Sequence, residues 1–217
     1  MGPVTRRGVA LADPPDDLSS FPDFQLRKGR KLFRAHRAGC GPWWFASDDQ
    51  GRFNVAPPFG TCYLATDQET ALRERLGRDM VKLNVVSAGW AAETAVSRLT
   101  VQAGGKLADT CHEDAVRYGA TREIATHTGR KYAKTRGWAE AFHRWRFRGV
   151  RYESRFTTVA MPNAIALFDD AGDAGLATAK NWPADPDPVS GEDACRQAGL
   201  TVYSPPTSRQ VRIRSTP

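Results

Sequence analysis

The segment TCYLATDQETALRERLGRDM, residues 61–80, restricts the fold more than any other stretch. Its opening residues, TCYLA, read as a short strand. A helix signal follows at once. Thr66 stands as an N-cap with Glu69 three positions later, which is the spacing of a capping box. Leu72, Leu76 and Met80 then recur every fourth residue as one buried stripe. A strand over 61–65 therefore passes almost directly into a helix over 67–78.

The rest of the chain does not continue this as a regular series. KLFRAHR (31–37) reads as a strand, with Leu32, Arg34 and His36 on one face and Phe33 and Ala35 on the other. GCGPWWFASDDQGRFN is loop. VKLNVV (81–86), SRLTVQ (97–102), GVRYESRF (149–156) and AIALF (164–168) read as further strands. The segment 113–147 is helical in character, with breaks near Gly119, Gly129 and Gly137. This irregular alternation predicts one mixed α+β domain and not a doubly wound sheet. Residues 1–29 read as a polar, irregular arm and 30–168 as the body. Residues 169–217 read as a loop-rich extension with a last strand near 200–203. The basic tail SPPTSRQVRIRSTP reads as mobile.

The 217 residues suit one domain with extensions. No apolar run approaches the ~18 residues of a membrane span. The Arg6–Arg7 pair has no apolar run behind it, so neither a Sec nor a twin-arginine signal is read and the cytoplasm is expected. The net charge of +7 permits an anionic partner without choosing one. Cys40, Cys62, Cys111 and Cys195 form no CxxC pair and read as reduced thiols. His112, His127 and His143 lack metal-site spacing, so no metal is expected. No GxGxxG and no GxxxxGK[ST] occurs, so neither standard phosphate loop is indicated.

Several polar residues admit two readings each. Glu74 lies about 200° around the helix from Leu72, away from the apolar stripe. It is either a solvated residue paired with Arg78 or a carboxylate facing a site. Arg34 is either a snorkelling strand residue or a fork for phosphate. Arg52 sits in a Gly- and Asp-rich loop. Tyr63 is either core or a stacking platform with a polar tip. Ser154 reads as a turn residue, and no GxSxG surrounds it. Across 130–155, cations interleave with aromatics as on a nucleic-acid face. Trp138, Phe142 and Trp145 at i, i+4 and i+7 equally describe a buried helical stripe with a solvated back.

Arg52, Tyr63 and Glu74 are evenly spaced, eleven residues apart, across a loop, a strand and a helix. Together with their surroundings they form an ordered pattern. LFRAHR, GRFN, CYLATDQETALRE, RGWAEAFHRWRFRGVRYESR and NAIALF, from about Lys31 to Phe168, resemble the RES domain family. That family is named for an arginine, a glutamate and a serine, and it includes the toxins of RES–Xre toxin–antitoxin pairs. The matching residues are Arg34 or Arg52, Glu74 and Ser154. The chain departs from the pattern at Ala35, where toxin members often carry an aromatic, and at Phe53, where tryptophan is common.

The resemblance implies an ADP-ribosyltransferase-like fold and an activity that degrades NAD⁺ at the nicotinamide–ribose bond. NAD⁺ is then the substrate, no cofactor is needed, and inorganic phosphate is a candidate co-substrate. Water and a protein are the other acceptors. Glu74 would stabilise the oxocarbenium-like ribose, as carboxylates do in glycoside cleavage. Arg34 and Arg52 would hold phosphate groups, Tyr63 would stack on the nicotinamide or ribose, and Ser154 would complete the hydrogen bonds around the nicotinamide ribose. A helix-turn-helix antitoxin of the Xre type and a homo-oligomer are the implied partners. No membrane partner is expected. A basic nucleic-acid-binding module is the competing reading, as is a relative acting on another nucleotide-like substrate.

Overall fold

AIALF is apolar at every position, which suits a strand covered on both faces. In the computed structural model its residues alternate between two separate cores. Ala164, Ala166 and Phe168 enter one, and Ile165 and Leu167 enter the other. The structure describes residues 11–127, 132–157, 163–175 and 178–204, without the side chains of 78–83.

The strands, in chain order, are β1 (Asp23–Leu26), β2 (Lys31–Arg37), β3 (Trp44–Phe45), β4 (Phe59–Ala65), β5 (Val85–Ser87), β6 (Thr94–Thr100), β7 (Gly105–Asp109), β8 (Gly149–Tyr152), β9 (Ala164–Asp170), β10 (Gly172–Asp173), β11 (Val189–Ser190) and β12 (Thr201–Tyr203). The helices are α1 (Gln68–Leu83), α2 (Ala88–Ala92), α3 (Glu123–Thr126), α4 (Ala133–Arg144) and α5 (Gly191–Gln197), with a 3-10 turn at Glu113–Tyr118. The main sheet runs β1-β7-β8-β9-β4-β2-β6-β11. Its neighbours are antiparallel except β7 and β8. This is the mixed α+β architecture expected.

β2 falls on the expected residues and pairs along its length with β6, placing Arg34 opposite Ser97. β4 pairs along its length with β9, placing Tyr63 opposite Ala166. The helix after β4 forms as its stripe requires, with Leu72 and Leu76 buried beside Val86, Val96 and Leu200. Met80 lies outside the described side chains. The N-cap is Asp67 and not Thr66. Its carboxylate accepts from the Thr70 amide at 2.7 Å and from the Thr70 hydroxyl at 2.8 Å. A carboxylate is as good a cap as a hydroxyl, and here it satisfies two donors at once. Glu69 closes no capping box and pairs with Arg73. The helix kinks at Gly77, whose φ of +73° favours glycine, and resumes to Leu83. The strand read over 81–86 is therefore mostly helix, and only Val85–Ser87 is extended. It pairs parallel with β12.

Other differences follow from tertiary pairing. Leu11, Leu18 and Phe21 of the arm are buried against Trp138 and Phe142, and β1 pairs with β7. Trp138 Nε1 donates to Ala12 O at 2.8 Å. The strand read over 97–102 lies three residues earlier at its start, and that read over 149–156 ends at Tyr152. The helical segment 113–147 divides into the 3-10 turn, α3 and α4. Gly119 ends the first, Gly137 lies inside α4 without breaking it, and Gly129 falls outside the described residues. Trp145 is 39% exposed and leaves the stripe to Trp138 and Phe142. The loop-like C-terminal segment supplies β11 at the sheet edge and α5. The tail lies outside the described residues from 205. No helix among the described residues is long and apolar enough to cross a membrane.

Candidate active site

The helix α1 packs on β2 and β4, and β8 brings Tyr152 to the same place. Between them and the loop 46–54 lies a cavity of about 590 Å³, a size typical of ligand sites. Phe33, Arg34 and Ala35 of β2, Tyr63 of β4, Tyr152 of β8, and Glu74, Arg75 and Gly77 of α1 border it. The loop contributes Asp48, Gln50, Gly51, Arg52 and Asn54. Tyr132, Arg155 and Phe156 close the remaining side.

The loop that carries Arg52 is held from several directions. The Phe53 amide donates to the Tyr63 hydroxyl at 2.8 Å, and that hydroxyl donates to Asn54 Oδ1 at 2.9 Å. Thr61 Oγ1 donates to Phe53 O at 2.8 Å. Asn54 Nδ2 reaches Asp48 Oδ1 at 2.9 Å, and α4 adds Arg136 Nε on Asn54 O at 3.2 Å. Phe53 is fully buried with its ring 5.0 Å from that of Tyr152. Arg52 is therefore presented by a fixed backbone, and its own guanidinium lies 5.7 Å over the Tyr132 ring. Burial pushes the Tyr63 phenol well up from its ordinary value, against the Phe53 amide, so the hydroxyl keeps its proton. Burial also raises the Tyr152 phenol, and the charge of Glu74 adds to it.

A second network fixes the start of α1 against the strand ends. Asn163, 2% exposed, accepts from the Ser154 amide at 3.0 Å. Its Nδ2 donates to Thr70 Oγ1 and to Thr157 Oγ1, each at 2.8 Å. Thr70 in turn serves Asp67, the N-cap of α1. The helix that carries Glu74 and the turn that carries Arg155 thus share one buried amide.

Inside this frame, four buried polar atoms have no partner among the described residues. They are Arg52 Nε, Glu74 Oε1, and Arg155 Nε and Nη1. All three residues border the one cavity. A buried polar atom without a hydrogen-bond partner is costly and rare, and such atoms gathered around one cleft mark a place for a ligand. The arrangement offers one carboxylate and two guanidinium groups, walled by tyrosines.

The other expected residues lie as follows. Arg34 borders the cavity, but its Nη1 is directed to Pro42 O at 2.6 Å, Trp44 O at 2.8 Å and Cys62 Sγ at 2.8 Å. It fastens the β2–β3 connection. Ser154 does not border this cavity. It is 3% exposed, and its hydroxyl accepts from the Phe156 amide at 3.2 Å. Arg155, Tyr132 and Tyr152 entered the sequence reading only as members of the cation- and aromatic-rich stretch 130–155, and Asn163 was not singled out.

A family model described as the RES domain matches residues 31–187. The chain belongs to the RES domain family. Among solved structures, this RES domain is similar to the crystal structure of the M. tuberculosis MbcT–MbcA toxin–antitoxin complex. The TM-score is 0.57 at 9% identity, over 81% of this chain and 92% of that one. At that identity the likeness concerns the fold. No match is found among the curated proteins.

Proposed function

We propose that this RES domain degrades NAD⁺ by breaking the bond between nicotinamide and ribose. The observation that carries the reading is the unpartnered Glu74 carboxylate oxygen facing the same cavity as the unpartnered nitrogens of Arg52 and Arg155. NAD⁺ needs that combination. Its nicotinamide is a cationic leaving group, and the bonding pair departs with the ring nitrogen, which neutralises it. Positive charge then develops on the ribose. A half-buried carboxylate beside that ribose stabilises the charge where water screens it less than at the open surface. The guanidinium groups hold the pyrophosphate or an incoming phosphate as charge-assisted donors. The acceptor oxygen forms the new bond to the ribose carbon. With water as acceptor one proton is released to solvent, and with phosphate the product is a sugar phosphate.

Tyr63 is assigned to holding Arg52 in place, since its hydroxyl is committed to Phe53 and Asn54. Arg34 stands at the cavity wall with its Nη1 spent on the framework, and Ser154 supports the framework from outside this cavity. A helix-turn-helix antitoxin that covers the cavity mouth is the partner this reading carries. The test is incubation of the purified protein with NAD⁺, with and without millimolar phosphate, followed by product analysis. Nicotinamide release that depends on phosphate identifies a phosphorylase, and release without it identifies a glycohydrolase. Intact NAD⁺ under both conditions refutes the proposal.

A further inference from the structure

A second hollow, also about 590 Å³, lies between the 3-10 turn, α3 and the end of β8. Arg155 is the residue that borders both it and the Glu74 cavity. Its guanidinium rests 4.8 Å over the Phe156 ring, which belongs to the first cavity. Its Nε and Nη1 are buried without a partner among the described residues. A cation is thus fixed at the junction of two hollows, with donors unspent.

We propose that the second hollow receives the adenosine half of the dinucleotide, with the pyrophosphate lying on Arg155. This rests on the NAD⁺ reading. NAD⁺ is two nucleosides joined by a pyrophosphate. Glu74 assigns the nicotinamide riboside to the first cavity, so the linking phosphates meet the cation at the junction and the other nucleoside lies beyond it. The second hollow has the surfaces that half requires. Val116 and Ile124 give an apolar wall for a base, and Val116 is 60% exposed, leaving apolar surface that an adenine ring would cover. Glu113 and Glu153 supply carboxylate acceptors for ribose hydroxyls or an exocyclic amine, and Arg122 adds a second cation. Ser154, which borders this hollow and not the other, then belongs to the adenosine side of the site.

Calorimetric titration of the Glu74→Gln protein with AMP and with nicotinamide mononucleotide separates the two hollows without requiring turnover. Val116→Glu, at an exposed position, sets a carboxylate on the apolar wall. It is expected to weaken AMP at least tenfold and to leave the affinity for nicotinamide mononucleotide unchanged. Arg155→Gln is expected to weaken both, because each mononucleotide brings its phosphate to the junction. Melting temperatures equal to that of the parent confirm that the variants are folded. AMP that fails to bind, or binds with the same affinity after Val116→Glu, overturns the assignment. Selective binding of AMP in a protein whose unmutated form leaves NAD⁺ intact supports the hollow as an adenosine phosphate site and refutes the cleavage reading alone.

Discussion

Tyr63→Phe separates a framework role for this residue from a role on the substrate. The change removes one oxygen and no ring surface. The structure gives that oxygen two hydrogen bonds, from the Phe53 amide at 2.8 Å and to Asn54 Oδ1 at 2.9 Å. Each is worth about 1 kcal/mol net, and a buried amide left without an acceptor costs about 1–3 kcal/mol. A loss near 2 kcal/mol is expected. For a chain of this size, that corresponds to a fall in Tm of about 4–8 °C. The same loss loosens the Arg52 loop, so kcat/KM for NAD⁺ should fall about tenfold, equivalent to about 1.4 kcal/mol. A thermal melt and a nicotinamide-release assay over a range of NAD⁺ concentrations measure both. An unchanged Tm with collapsed kcat would refute the framework role and place the hydroxyl on the reacting atoms.

Three further outcomes follow from the same geometry. Gly51→Ala would put a Cβ 2.1 Å from Asn54 Oδ1, displacing the amide that Tyr63 and Asp48 hold, and should cost about 1–3 kcal/mol; an unshifted melt would contradict the tight loop. Asn163→Ala removes a buried amide with three partners and should cost about 2–3 kcal/mol, measured by urea unfolding, with activity lost through the displaced α1 and Arg155 turn; a midpoint within error of the parent would contradict it. Burial holds the His36 imidazole below its ordinary value of 6.5, so the unfolded chain takes up the proton first as the pH falls. Its contribution to stability is complete above about pH 6.5 and is lost as the pH drops through the lower folded value; His36→Gln should flatten the Tm-versus-pH slope there, and an identical slope would disprove it.

The parts legible in the sequence were those with a local pattern. β2 could be read to the residue, and the first turns of α1 from the Leu72 and Leu76 stripe, while its end was read five residues short of Leu83. The cap was misplaced by one residue because Thr66 and Asp67 are both capping types, and only the fold decides that Asp67 meets Thr70. VKLNVV was read as a strand because a short apolar run fits either element. β1 and β7 pair across more than seventy residues of chain, so nothing local announces them. α5 did carry a signal, with Ser190 capping the Asp193 amide three residues on. At the site, the even spacing of Arg52, Tyr63 and Glu74 was visible, and the structure places all three on one cavity. Which donors are left unspent was not visible. Arg34 and Arg52 look alike in the sequence, yet Arg34 Nη1 is taken by Pro42, Trp44 and Cys62 while Arg52 Nε is buried without a described hydrogen-bond partner.

The central claim is that Glu74 acts on the nicotinamide–ribose bond from a cavity built around it. The most direct measurement compares nicotinamide release from NAD⁺ by the unmutated protein and by Glu74→Gln, at matched concentration and with both melts recorded. Glutamine keeps the shape and removes the charge. The account predicts turnover by the unmutated protein, a loss of at least a hundredfold in kcat for the variant, equivalent to about 2.7 kcal/mol of transition-state stabilisation, and a Tm that does not fall. Equal turnover by the two proteins would contradict it.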